Sequence, residues 1–299
     1  MNRFPDGARV CFVGDSITHN NRYVAHIVAY YREHFPEAGV EFYNCGTSGA
    51  TLRCTLNGFD EDIRPYDPTH VVLMMGVNDS GRTALNDPPE SKYDALLERF
   101  ETFKSRLDTL STILKEMGAQ LIICTPPPYA EYIDSDVKPL PGASALLLGY
   151  ADYLKSFARE HGYPLCDQHT NITRAMQLET IYRGDRVHLL ERGHYYLAKG
   201  FLAFQGLDLG EEKELPADVQ EWDEHMGKIR SIFAAEHFVM HDDFTSTTEQ
   251  RKQAIAQWLE EEKDRPDTDY YKMLYQKHQR IKDEQQECLR FCIEFMKHQ

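Results

Sequence analysis

Two kinds of hydrophobic run alternate along the chain. Residues 8–13, 40–43, 70–75, 120–124 and 164–166 are short and mostly apolar, with β-branched or aromatic residues in most of them. That pattern predicts strands. The run at 70–75 is apolar at nearly every position, as in a strand covered on both faces. Longer stretches with apolar residues three or four apart lie between them. Residues 22–35 carry Tyr23, Ile27, Tyr30 and Tyr31 and stop at Pro36. Residues 91–117 carry Leu96, Leu97, Phe100, Phe103, Leu107, Leu110 and Leu114 before Gly118. Residues 143–160 and 191–204 complete the set. These spacings predict helices, and the Pro and Gly predict their ends.

Strand and helix alternate through the first two hundred or so residues of the 299. Strands separated by helices are joined by crossovers, which predicts an α/β fold: a doubly wound, five-stranded parallel sheet in three α/β/α layers. Ligands of such sheets bind outside the C-terminal ends of the strands. Past residue 210 the pattern changes. Residues 211–299 hold 21 acidic and 13 basic residues and no strand-like run. The chain therefore divides into an α/β domain at 1–210 and an acidic helical extension at 211–299. Helices are expected at 253–262 and 269–297, the latter with Leu274, Ile281, Cys288, Cys292 and Phe295 on one face. This stripe reads as packing on the core, with a lid or a homo-oligomer arm as the alternatives.

Charge narrows the partners. The formal charge is −15, which disfavours nucleic acid and anionic membrane surfaces. No apolar run approaches the ~20 residues of a membrane span. The N-terminal segment lacks the greasy stretch of a secretory signal, so a cytoplasmic protein is expected. Seven cysteines, several in strand-like runs and none in a Cys-x-x-Cys pair, read as reduced thiols.

Four short blocks carry candidate chemistry. Gly14-Asp15-Ser16 follows the first strand, so the Ser16 hydroxyl sits at the sheet's C-terminal edge. Asn44-Cys45-Gly46-Thr47-Ser48-Gly49 follows the second, and its glycines let backbone N–H groups turn toward one spot. Gly76-Val77-Asn78-Asp79 follows the third and offers a side-chain amide. Asp185-Arg186-Val187-His188 precedes the last helix of the alternating region, where an aspartate three residues before a histidine can orient the ring. Each block alone is ordinary loop chemistry. In this order, three of them directly after the first three strands, they resemble the four blocks of the SGNH (GDSL-type) hydrolases, over about residues 8–204. The triple proline after strand four, Thr125-Pro126-Pro127-Pro128, resembles that family as well.

The resemblance implies a flavodoxin-like fold and a serine esterase. Ser16 would be the nucleophile, His188 its base and Asp185 the group that orients the ring. The N–H groups of Ser16 and Gly49 and the side chain of Asn78 would form the oxyanion hole. No metal and no cofactor are implied. The expected partner is a small-molecule ester with a short acyl group, acetyl on a carbohydrate being the reading favoured by the polar loops. Acyl transfer or thioester cleavage on the same serine, and a non-catalytic binding protein on the same fold, are the alternatives. Arg82 and Tyr129 are substrate-contact candidates on the facing loops.

Overall fold

The computed structural model describes residues 1–240 together with Glu287, Phe291, Glu294 and Phe295. Its strands are β1 (Arg9–Gly14), β2 (Glu41–Asn44), β3 (His70–Met74), β4 (Gln120–Cys124) and β5 (Leu165–Cys166). All pair in parallel in the order β2-β1-β3-β4-β5. The helices are α1 (Ser16–His19), α2 (Arg22–His34), α3 (Leu52–Asn57), α4 (Phe59–Asp62), α5 (Pro89–Glu116), α6 (Ala143–His161), α7 (Gln168–Ala175), α8 (Glu191–Phe204) and α9 (Ala217–Met240). Each expected strand is present to within one residue at either end. The strand order and the short helices α1, α3, α4 and α7 were not among the expectations.

The layering follows from the two-residue period of a strand, which sends successive side chains to opposite faces. Val10, Phe12, Val72, Met74 and Ile122 point to one face and pack with Ile27 of α2, Phe201 of α8 and Trp222 of α9. Their neighbours Cys11, Val13, Val71, Leu73 and Ile123 point to the other and meet Leu107 and Leu110 of α5 and Tyr150 and Leu154 of α6. Every residue of β3 is buried, so the sheet has no wet face there. Burying each large apolar side chain stabilises the fold by about 1.5–3 kcal/mol relative to exposure.

Strand order positions the site. β1 lies between β2 and β3, so the segments leaving all three emerge side by side at one edge. The chain runs outward from β1 to β2, then returns past β1 to β3. That reversal opens the crevice in which doubly wound sheets hold their ligands.

Beyond residue 210, α9 packs on the sheet's first face, with Trp222 fully buried. Phe291 and Phe295 also pack against that core. The Phe295 ring stacks 6.1 Å from Trp222, with the Arg32 guanidinium carbon 4.2 Å from its centroid. The helix expected at 253–262, and Leu274, Ile281, Cys288 and Cys292 of the expected stripe, lie outside the described residues. Cys11, Cys45, Cys124 and Cys166 are buried free thiols. Among the described residues no helix is long and apolar enough to cross a membrane.

Candidate active site

β1 ends at Gly14, where the backbone approach is close. A Cβ there would lie 2.1 Å from Thr18 Oγ1 and 3.0 Å from the Met74 carbonyl. The Asp15 carboxylate then caps α1 by accepting the Ile17 N–H at 2.9 Å, as short acidic side chains do at helix starts. Ser16 is the first residue of that helix. Its Oγ lies 2.8 Å from His188 Nε2, 172 residues further on.

The other imidazole nitrogen, Nδ1, lies 2.7 Å from Asp185 Oδ2. Asp185 Oδ1 accepts the backbone N–H groups of Val187 at 3.0 Å and His188 at 2.9 Å. Burial pushes the Asp185 carboxyl up, but these donors and the imidazole outweigh it and hold the group below the usual carboxylate range. An ionised carboxylate only accepts. In a neutral imidazole Nδ1 then donates to Asp185, which leaves Nε2 as the acceptor facing Ser16.

A residue inside the fourth block fixes this turn. Arg186 adopts a left-handed backbone with φ 68 and is buried. Its Nη1 donates to the carbonyls of Ala130, Glu131 and Ile133 at 3.2, 3.0 and 2.8 Å, and its Nε donates to Val137 at 2.8 Å. On the other side, the Arg183 N–H donates to the His188 carbonyl at 2.8 Å. Sequence reasoning missed Arg186, because nothing local marks an arginine whose partners lie some fifty residues away.

The loops after β2 and β3 are built as one unit. Gly49 has φ 77, a conformation open to glycine without strain. It sits in a turn closed by Ala50 N–H donating to Thr47 O at 3.0 Å. The Asn78 amide donates to the Ala50 carbonyl at 3.0 Å. This uses one of its two N–H bonds and fixes the plane of the other. At the near end of the turn, Thr47 N–H donates to the Gly14 carbonyl at 3.0 Å. Gly46 packs so tightly on α1 that a Cβ would lie 2.5 Å from His19 N.

The structure thus brings Ser16, His188 and Asp185 into one hydrogen-bonded line and ties Asn78 to the turn that carries Gly49. Arg82 donates to the Val77 carbonyl at 3.0 Å. Burial lowers its pKa, while the charges of Asp15, Tyr129 and Asp185 oppose that shift. Tyr129 is buried against Ala143 and Leu147, and its hydroxyl accepts the Leu140 N–H at 3.1 Å. Tyr132, by contrast, is 90% exposed. His19, close to Ser16 in sequence, is largely buried. Desolvation and the Arg230 charge push its imidazole down to about 4, so it is neutral at physiological pH.

Comparison with known proteins agrees with the fold and the family resemblance. Residues 12–196 match the GDSL-like Lipase/Acylhydrolase family. An acetylxylan esterase of Geobacillus stearothermophilus is 28% identical over 221 residues, covering 68% of this chain and 95% of that protein. The crystal structure of an acetylxylan esterase from the same organism superposes with a TM-score of 0.58 at 26% identity, covering 70% of this chain and 99% of that one. A gut microbial diltiazem-metabolizing enzyme shares the fold over 100% of this chain and 96% of its own, with a TM-score of 0.75 at 15% identity. The chain belongs to the GDSL-like lipase/acylhydrolase family, and it is a serine ester hydrolase.

Proposed function

We propose that the protein hydrolyses short-acyl esters, with acetyl groups on a carbohydrate as the substrate class, through an acyl-enzyme on Ser16. The observation that carries this reading is the unbroken line from Ser16 Oγ to His188 Nε2 at 2.8 Å and from His188 Nδ1 to Asp185 at 2.7 Å. A serine hydroxyl is a poor nucleophile at neutral pH and needs such a base. The similar Geobacillus protein is an acetylxylan esterase, which supports a small acyl group on a sugar.

In this mechanism Ser16 Oγ bonds to the ester carbonyl carbon while its proton passes to His188 Nε2. The carbonyl oxygen becomes an oxyanion, held by the N–H groups of Ser16 and Gly49 and by the free amide hydrogen of Asn78. Fixed donors aimed at that oxygen typically contribute ~10²–10³ in rate each. The bond to the alcohol then breaks, and His188 gives its proton to the departing oxygen. Water next adds to the acyl carbon, losing a proton to His188. Collapse returns that proton to Ser16 and releases the carboxylic acid. Asp185 stabilises the imidazolium in both halves without taking the proton itself.

The test is hydrolysis of p-nitrophenyl acetate and of acetylated xylo-oligosaccharide, compared with a long-chain p-nitrophenyl ester. Turnover of the acetyl substrates with loss of ~10³-fold or more in Ser16→Ala is expected. Equal turnover by both proteins would overturn the assignment, and preference for the long chain would overturn the substrate class.

A further inference from the structure

α9 lies outside the stretch matched by the family, which ends at residue 196, yet it reaches into the site's scaffold. Asp223 and Arg230 are seven residues apart on α9, about two turns, and so share one face. Asp223 accepts from Asn21 Nδ2 at 2.8 Å and from Arg22 Nη1 at 2.7 Å. Asn21 in turn accepts from Asn44 Nδ2 at 2.8 Å, at the end of β2. Arg230 is fully buried. Its Nε donates to the Gly46 carbonyl at 2.8 Å, and its Nη2 donates to Thr47 Oγ1 at 2.9 Å.

A buried guanidinium costs free energy unless its donors are used. Two of them are used on adjacent residues of the turn that carries Gly49. The same turn is held at Gly14 by Thr47 N–H and at Asn78 by the Ala50 carbonyl. Arg230 is thus a further contact at the near end of that turn, and it comes from the C-terminal extension. We propose that Arg230 is a positioning residue for the oxyanion hole, making α9 a structural part of the active site. Through Gly46 and Thr47 it sets the direction of the Gly49 N–H; it does not touch substrate. The inference rests on the function proposed above, in which Gly49 supplies an oxyanion donor.

The full chain is assayed on p-nitrophenyl acetate as wild type, Arg230→Lys, Arg230→Gln, Thr47→Val and Ser16→Ala, with Trp222→Phe as the packing control on the same helix. Small displacements of an aligned group are costly in rate, so kcat is expected to fall about tenfold in Arg230→Lys and about 100-fold in Arg230→Gln, with KM nearly unchanged. The Ki of a trifluoromethyl ketone, which mimics the tetrahedral oxyanion, should rise in step with the fall in kcat/KM. Thr47→Val should raise that Ki by about threefold or more, and its effect should be less than additive with Arg230→Lys. Trp222→Phe should lower Tm and leave kcat and Ki unchanged. Folded Arg230 variants whose Ki stays at the wild-type value would overturn the proposal, whatever their Tm. If neither Arg230 variant folds, Thr47→Val decides, and an unchanged Ki overturns the proposal. Activity that survives Ser16→Ala would instead sink the proposed function itself, while Ser16-dependent activity indifferent to Arg230 sinks only this inference.

Discussion

Leu52 donates its backbone N–H to the Asp79 carboxyl at 2.8 Å, joining the start of α3 to the loop after β3. Asp79 is buried, and desolvation pushes its pKa up to about 7. Asp15 is pushed up to about 6 for the same reason. The folded chain therefore holds these protons more tightly than the unfolded chain does, and ionising them costs stability. Their contribution is most favourable below the unfolded value, about 4, and is lost as pH rises through about 6 for Asp15 and about 7 for Asp79. Asp79→Asn keeps the acceptor for Leu52 and removes one of these ionisations. The Tm of the variant relative to wild type should climb between pH 4 and pH 7 and then level off. A constant difference across that range would contradict the assignment.

Asp185→Asn tests the orientation of the ring. The amide can donate to His188 Nδ1, which leaves Nε2 protonated and facing Ser16. A fall of about 10³–10⁴-fold in kcat is expected, with KM little changed. Steady-state kinetics on p-nitrophenyl acetate checks it, and a loss confined to KM would count against the proposed role.

Arg186 separates two effects at one position. Its side chain donates to four carbonyls, and its φ of 68 favours glycine. Arg186→Ala and Arg186→Gly both lose the hydrogen bonds, so both should lower Tm and activity. Glycine should be the milder substitution by about 0.5–1 kcal/mol, because alanine is strained at positive φ. Chemical denaturation of the two variants gives the comparison.

Gly46→Ala is a steric test of the loop after β2. The new methyl would meet backbone atoms, 2.5 Å from His19 N and 2.7 Å from Thr18 C, so the loop must shift away from α1. A stability loss of about 1–3 kcal/mol is expected, together with a drop in kcat as the Gly49 turn moves. Unchanged kcat would mean that the turn tolerates the shift.

Much of this architecture can be read from local pattern. The five strands are short apolar runs, and α5, α6 and α8 repeat their apolar residues at helical spacing, so one-dimensional periodicity suffices. Ser16, Asp185, His188 and Asn78 were nameable because each lies in a short block at a strand exit or helix entry. The order of strands was not nameable, since β3 and β4 look equally suited to lie beside β1. α7 was missed because Ile172 and Ala175 are its only buried apolar residues, too few to show a face. Arg186 and Arg230 were missed because their partners lie about 50 and 184 residues away. A buried arginine looks like a surface one until the fold supplies its acceptors.

The most direct measurement is mass spectrometry of the intact protein and its peptides after brief exposure to a fluorophosphonate, which reacts quickly only with an activated serine. A single adduct on Ser16, lost in Ser16→Ala and strongly slowed in His188→Ala, is the expected result. An adduct on another residue, or labelling of Ser16 at the wild-type rate without the imidazole, would contradict the account.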